Sequence, residues 1–276
     1  MSLPSPPTVD SVRTDLIVTT ALKPAPDLIE RATVLGRDLN APVVARRNDG
    51  LAVLFARAPD ADRVLIVQRD RLVLGRRDGA TFFYHPNMAY LRLGNLLRGG
   101  RDLLIEAAGL QPGESVLDAT LGYASEAILC AHVVGETGIV HGIEASPELG
   151  IVVREGLQTV TTAHRVLNEC MRRIQVVHIG HHLTFLRDCP SGSYDVVCFD
   201  PFFDAVLHDS IAFSPLRAFG EHHALLPEAV AEARRVARRR VVVKALCTDD
   251  TLDRLGAPER VGSRSGKVVY GVFPAH

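Results

Sequence analysis

The sequence predicts a doubly wound α/β sheet preceded by a small α+β domain, and three observations carry that expectation. From residue 113 onward, short apolar runs at 116–117, 139–143, 174–178, 196–199, 241–246 and 268–273 alternate with stretches of helical period, including 125–134, 147–160 and 227–238. Runs such as Val241-Val242-Val243 are apolar at consecutive positions, the pattern of a strand covered on both faces. Helix starts carry their own signals: Ser146 precedes Pro147, and Pro227 stands where a first-turn proline is tolerated.

The rest of the chain follows in order. Residues 1–14, with Pro4, Pro6 and Pro7, read as a disordered leader. Residues 15–80 read as the small α+β domain. Leu16 to Thr20 is a strand, and Leu28, Ala32, Leu35 and Leu39 fall at helical spacing with Asn40 as the stop. Val43 to Ala45 and Leu51 to Phe55 are expected as short strands around Asn48-Asp49-Gly50, and Arg63 to Val67 with Arg71 to Leu74 as a hairpin-like pair. Residues 81–112 hold two helices, 88–97 and 103–109, broken by Gly99-Gly100 beside Asp102. That segment serves either as an ordinary connector or as a flap over the central loop. Residues 113–276 are the main domain.

Bulk properties bound the class. A chain of 276 residues that is 47% hydrophobic and 23% charged has the make-up of a globular enzyme of one large or two unequal domains. Five cysteines without a C-x-x-C pair argue against a zinc site or disulfide framework and for a reducing cytoplasm. No apolar run is long enough to span a bilayer, and the first ten residues lack the pattern of a signal peptide. With a net charge of −1 any nucleic-acid contact is local. Oligomeric state stays open.

The chemistry concentrates in two places. Val116-Leu117 ends on Asp118, and the tight loop Ala119-Thr120-Leu121-Gly122 leads into a helix at Ser125, so backbone N–H groups can approach a ligand there. Glu144 ends the next strand about 20 positions later, where a carboxylate accepts ribose hydroxyls. Gly122 is the loop's only glycine and no G-x-x-x-x-G-K-[ST] occurs, which disfavours a pyrophosphate and points to S-adenosylmethionine, a nucleoside without phosphates. Second, the apolar run 196–199 delivers Asp200-Pro201-Phe202-Phe203 to a strand's carboxyl end, resembling the (D/N)-P-P-(Y/F) turn of methyltransferases that act on exocyclic amines. An aryl amine is a poor nucleophile because its lone pair is delocalised. A carboxylate and a carbonyl that accept its N–H bonds can turn that lone pair towards a methyl donor, while Phe202 or Phe203 stacks on the base.

With Arg240-Val241-Val242-Val243-Lys244 added, D-A-T-L-G and F-D-P-F-F resemble the matching motifs of the RsmJ-type methyltransferases, over residues 80–276 and with a counterpart for the small N-terminal unit. That family is of class I S-adenosylmethionine enzymes with a Rossmann-like methyltransferase sheet, and it methylates the exocyclic N2 of a guanine in bacterial small-subunit (16S) rRNA. The resemblance implies that Asp118, Thr120, Leu121, Gly122 and Glu144 bind the cofactor. It also implies that Asp200 and Pro201 hold the target amine, with Phe203 at the catalytic turn, and that Lys244 and Arg217 contact substrate. The chain departs from the family at Ala124, where a further glycine is usual, and at Phe202-Phe203, where Met-Tyr is usual. At Gly180-His181-His182 the family often has an acid for the adenine amine, a hydrogen bond that a neutral His181 nitrogen can accept. The expectation is an S-adenosylmethionine-dependent N-methyltransferase with rRNA or the ribosomal subunit as partner. The alternatives are transfer to a protein side chain or metabolite, or a non-catalytic RNA-binding relative. Adjacent histidines (His181, His182, His222, His223) without a spaced acid give no metal site. The basic run Arg234, Arg235, Arg238, Arg239, Arg240 reads as solvated cations in the last turn of a helix, and Arg92, Arg98 and Arg101 as the better RNA candidates.

Overall fold

The computed structural model describes residues 12–86, 88–202, 214–220, 223–262 and 266–276. Phe203, His222 and most of the leader lie outside them. The chain forms two compact units, Met1–Thr81 and Phe82–His276, and the second includes the helices that follow the small domain.

In the first unit β1 (Leu16–Thr20) runs parallel to β2 (Arg63–Val67), which pairs antiparallel with β3 (Leu72–Arg76). With β4 (Thr81–Phe83) the sheet order is β1-β2-β3-β4. Helix α1 (Pro26–Asp38) buries Leu28, Ala32 and Leu35. The expected strand at Leu51 is a helix instead, α2 (Leu51–Arg57), and Val43 makes only an isolated bridge to Val18. Five consecutive apolar residues do not distinguish a short strand from a buried helical turn. Tertiary contacts decide: Leu54 and Phe55 enter the core, and the Arg77 guanidinium caps the helix end by donating to the carbonyls of Phe55, Ala58, Pro59 and Ala61.

The second unit is built on a seven-stranded sheet of order β10-β11-β9-β8-β5-β6-β7. Strands β5 (Ser115–Asp118), β6 (Ile139–Glu144), β7 (Ile174–Ile179), β8 (Tyr194–Phe199) and β9 (Ala237–Leu246) are parallel. Strand β11 (Val268–Pro274) is antiparallel to β9, and β10 (Glu259–Gly262) to β11. Helices α3 (Ala89–Leu97), α4 (Leu103–Ala108), α5 (Ser125–Val134), α6 (Pro147–Thr159) and α7 (Arg165–Arg173) are joined by packing contacts on one side, α5 against both α3 and α7. On the other, α8 (His182–Asp188), α10 (Pro227–Val236) and α11 (Thr251–Arg254) cover a core of Leu117, Val197, Phe199, Val241, Val243 and Ala245. Helix α9 (Ser214–Phe219) precedes α10. Residues 196–199 of β8 and 241–243 of β9 are apolar and buried at consecutive positions, as in strands covered on both faces.

The chain winds from β5 through β6 to β7, then returns to the far side of β5 as β8. That reversal opens a crevice at the carboxyl ends of β5 and β8, where ligands bind in open α/β sheets. Helix α10 ends at Val236, so Arg238, Arg239 and Arg240 stand on β9 and not in a last helical turn as expected. No described helix is long and apolar enough to cross a membrane.

Candidate active site

The first wall of the crevice is the loop after β5. Asp118 Oδ1 accepts the Thr120 N–H at 3.1 Å. The Ala119 N–H donates to the Cys198 carbonyl on β8 and the Leu121 N–H to the Ile143 carbonyl on β6, each at 2.9 Å, so the loop is tied to both neighbouring strands. Leu121 packs down on β6 where residue 142 is glycine, since a Cβ there would lie 2.5 Å from Leu121 Cδ1. Gly122 and Ala124 both take the left-handed conformation, φ 48° and 59°. The departure at Ala124 therefore keeps the glycine-like backbone, at a cost of about 1 kcal/mol for its Cβ.

Glu144 joins this loop to the next. Its Oε2 accepts the Gly122 N–H and its Oε1 the Ser146 N–H, both at 3.0 Å. The two bonds fix the carboxylate against the loop. Asp118 differs from the expectation of a direct ligand contact. It is 2% exposed and sits beneath the loop, outside the cavity wall. Its Oδ2 and the Ser125 Oγ have no hydrogen-bond partner among the described residues. Burial, then the charge of Glu126, push the Asp118 carboxyl up to about 8, with Asp200 and Glu144 adding to the rise.

The second wall is the turn after β8. The Asp200 N–H donates to Thr120 Oγ1 at 2.6 Å, which ties this turn to the loop after β5. Lys244, near the end of β9, donates from Nζ to Asp200 Oδ2 at 2.8 Å and to Glu126 Oε1 at 3.0 Å. Arg92 on α3 donates to the same Glu126 oxygen at 2.7 Å and forks onto both oxygens of Asp102 at 2.9 Å. Asp102 in turn caps α4 by accepting the Leu104 N–H. Burial pushes Asp200 up to about 6 against the pull of Lys244. Glu126 falls to about 2 in spite of its burial, because Lys244 and Arg92 both face it.

These walls enclose a cavity of about 870 Å³. Thr120, Leu121, Gly122 and Glu144 line it together with Asp200, Pro201 and Phe202, and so do Arg217, Lys244 and His181. Phe203 falls outside the described residues. Lys244 and Arg92 are both engaged with carboxylates, and Arg101 pairs with Glu106. His181 also changes polarity. Its Nδ1 accepts the Leu183 N–H as the cap of α8, so the neutral ring carries its proton on Nε2, and that nitrogen is a donor rather than the expected acceptor. Burial and the neighbouring His181 ring push His182 down to about 4, so it is a neutral imidazole.

The sequence reading missed Glu126 and Tyr270, both on the cavity wall. Glu126 had a signal: it is the one charge in Ser125-Glu126-Ala127-Ile128-Leu129-Cys130-Ala131, the buried start of α5. The lining balances four acids, Asp102, Glu126, Glu144 and Asp200, against four cations, Arg92, Arg101, Arg217 and Lys244, and an orphaned buried oxygen of Asp118 lies beneath it, open to a ligand that carries hydrogen-bond donors.

Residues 52–261 match the model of the family described as "Putative SAM-dependent methyltransferase". The chain is 38% identical over 228 residues to YpiP, an uncharacterised protein of Bacillus subtilis, covering 83% of this chain and 88% of that one. Among solved structures it is similar to a SAM-dependent methyltransferase of Neisseria gonorrhoeae, with a TM-score of 0.63 and 15% identity over 94% of this chain and 96% of that one.

Proposed function

The chain belongs to the SAM-dependent methyltransferase family whose model it matches, and from that premise we propose that it methylates an exocyclic amine, the N2 of a guanine in small-subunit rRNA. It is an enzyme, and S-adenosylmethionine is its cofactor. The residues present fit that cofactor. The buried Asp118 oxygen without a partner beneath the loop suits its hydrogen-bond donors, and Glu144 is fixed in place for its ribose hydroxyls. When bound, S-adenosylmethionine supplies a methyl group on a sulfonium that is already activated for transfer.

The remaining work in this reading is positioning. Thr120, Leu121, Gly122 and Glu144 hold the cofactor. Asp200 accepts an N–H of the target amine and turns its lone pair towards the methyl group. Pro201 stiffens that turn and Phe202 stacks on a base displaced from its helix, a contact worth about 1–3 kcal/mol. The observation that carries the proposal is the bond between the Asp200 N–H and Thr120 Oγ1, because it fixes the acceptor turn to the cofactor loop within one cavity. The resemblance of Asp200-Pro201-Phe202-Phe203 and Arg240 to Lys244 to the RsmJ-type motifs supports the choice of rRNA.

The test is mass spectrometry of rRNA nucleosides from a strain lacking the protein, paired with labelled cofactor and small ribosomal subunits. Loss of one N2-methylguanosine, restored by the purified protein, is the expected result. An unchanged nucleoside profile with labelled transfer to a protein or a small amine would overturn the rRNA assignment and keep the amine site.

A further inference from the structure

Lys244 is held by two acids at once. Its Nζ lies 2.8 Å from Asp200 Oδ2 and 3.0 Å from Glu126 Oε1, and Arg92 reaches the same Glu126 oxygen at 2.7 Å. The side chains of Asp102, Glu126 and Lys244 are 9%, 9% and 17% exposed, so water screens these charges weakly. Five elements contribute one member each to the alternating series Asp102, Arg92, Glu126, Lys244, Asp200: the cap of α4, α3, α5, β9 and the end of β8. A buried ammonium that faced one carboxylate alone would give that carboxylate its whole charge. Facing two, it divides it.

We propose that Glu126 is a positioning residue that competes with Asp200 for Lys244, and so sets how much of the ammonium's charge Asp200 receives. The consequence for catalysis rests on the reading of Asp200 as the group that holds the acceptor amine. In that reaction the nitrogen lone pair forms the new N–C bond and the sulfur keeps the electron pair of the broken C–S bond. The surplus proton passes from nitrogen to Asp200 and then to solvent. An Asp200 paired fully with Lys244 would be a poor proton acceptor, and one with no cation nearby would be protonated before the amine arrived. Sharing Lys244 with Glu126 keeps it between those limits, in accord with its rise to about 6.

Other charged or titratable groups also face Asp200. Arg92 approaches from α3 and pulls its carboxyl down. Asp118, at the end of β5, interacts with Asp200 and with Glu144 of β6. Tyr270 of β11 faces Asp200, Glu126 and Lys244, and burial raises its phenol so that it stays neutral. Arg217 and His223 share the cavity wall. Glu126, which shares Lys244 with Asp200, and Arg92, which holds Glu126, bear on Asp200 in opposite directions, the first raising and the second lowering its carboxyl.

The experiment follows the Asp200 carboxyl carbon by NMR in the full chain labelled at aspartate carboxyls, with the signal assigned by its loss in Asp200→Asn. The midpoint in the unaltered protein is expected near 6. Glu126→Gln removes the competitor and a like charge, and moves the midpoint down by about one pH unit. Arg92→Gln frees Glu126 to hold more of Lys244, and moves it up. Glu126→Asp keeps the charge but withdraws it by one methylene, giving a smaller downward shift, and it serves in place of Glu126→Gln if that variant does not fold. An unmoved midpoint in folded Glu126 variants, or a shift of the same sign for Glu126→Gln and Arg92→Gln, overturns the proposal. Because no methyl acceptor is needed, this outcome is separate from the amine-site reading, which fails instead if Asp200→Ala still transfers methyl groups at the normal rate.

Discussion

The two ends of β9 both carry cations and use them differently. At its start Arg238 pairs with Asp195 at 3.1 Å, and Arg239 donates to Glu114 at 2.7 Å and to the Gly109 carbonyl at 3.1 Å. Arg240 donates to the Ala107 carbonyl at 3.1 Å. These three, so conspicuous in sequence, fasten the end of α4 and the starts of β5 and β8 at the amino-terminal edge of the sheet. Near the other end a single lysine, Lys244, stands in the crevice between two carboxylates. Position relative to the carboxyl edge of the strands, not the density of charge along the chain, separates a fastening cation from one that acts on a ligand site.

That contrast can be broken or sharpened by substitution. The largest effect is expected for Asp200→Ala: methyl transfer falls by about 100-fold or more while cofactor affinity stays within a few-fold, measured with labelled cofactor and by calorimetry. Lys244→Met strands Glu126 and Asp200 with less compensation and costs about 3–5 kcal/mol at pH 8 by denaturant unfolding. The cost shrinks at pH 5. An acid whose folded pKa lies above its unfolded value binds more protons when folded, so the penalty is absent below the unfolded pKa and grows as pH rises through the folded one. The same sign applies to Asp118, whose folded value of about 8 makes the cofactor-free protein lose stability between about pH 4 and pH 8. Cationic cofactor draws that proton off, so binding at pH 7 releases up to about one proton, read by calorimetry in two buffers, and Asp118→Asn abolishes the release. At the fastening end, Arg239→Ala costs about 1–3 kcal/mol and leaves the Asp200 titration where it was. If that titration moves, the two ends are not independent. Smallest of all, Ala124→Gly relieves the left-handed strain and shifts stability by about 1 kcal/mol or less, upwards, in a thermal melt.

Much of this fold could be read from the chain because strand and helix periods are local. The runs at β6 and β8 and the helix starts at Ser146-Pro147 and Pro227 fall where the structure has them, and the run at 241–246 lies within β9, which begins four residues earlier. Errors arose where local pattern was ambiguous or passed over. Leu51 to Phe55 fits either period, and only the docking of Leu54 and Phe55 with the Arg77 cap makes it helical. Helix α7 did have a signal, with Val166, Leu167, Cys170 and Met171 along one face. The loop after β5 and the turn after β8 were each visible as short motifs. Their joining through Thr120 and Asp200, 80 positions apart, was not.

By itself, then, the sequence determined the alternation of elements, the small-residue loop from Asp118 to Gly122, the acid at Glu144 and the proline turn at Asp200. Each is a matter of a residue and its near neighbours. Tertiary structure alone decided the rest. It put Asp118 under the loop and not in the crevice, gave the accepting nitrogen of His181 to a helix cap, and paired Arg238 and Arg239 with carboxylates at the amino-terminal edge of the sheet. It also drew Arg92, Glu126 and Lys244 from three distant elements into one buried series ending on Asp200. The physical reason is that burial and charge pairing depend on what lies within a few ångströms, and for these side chains those neighbours come from elsewhere in the chain.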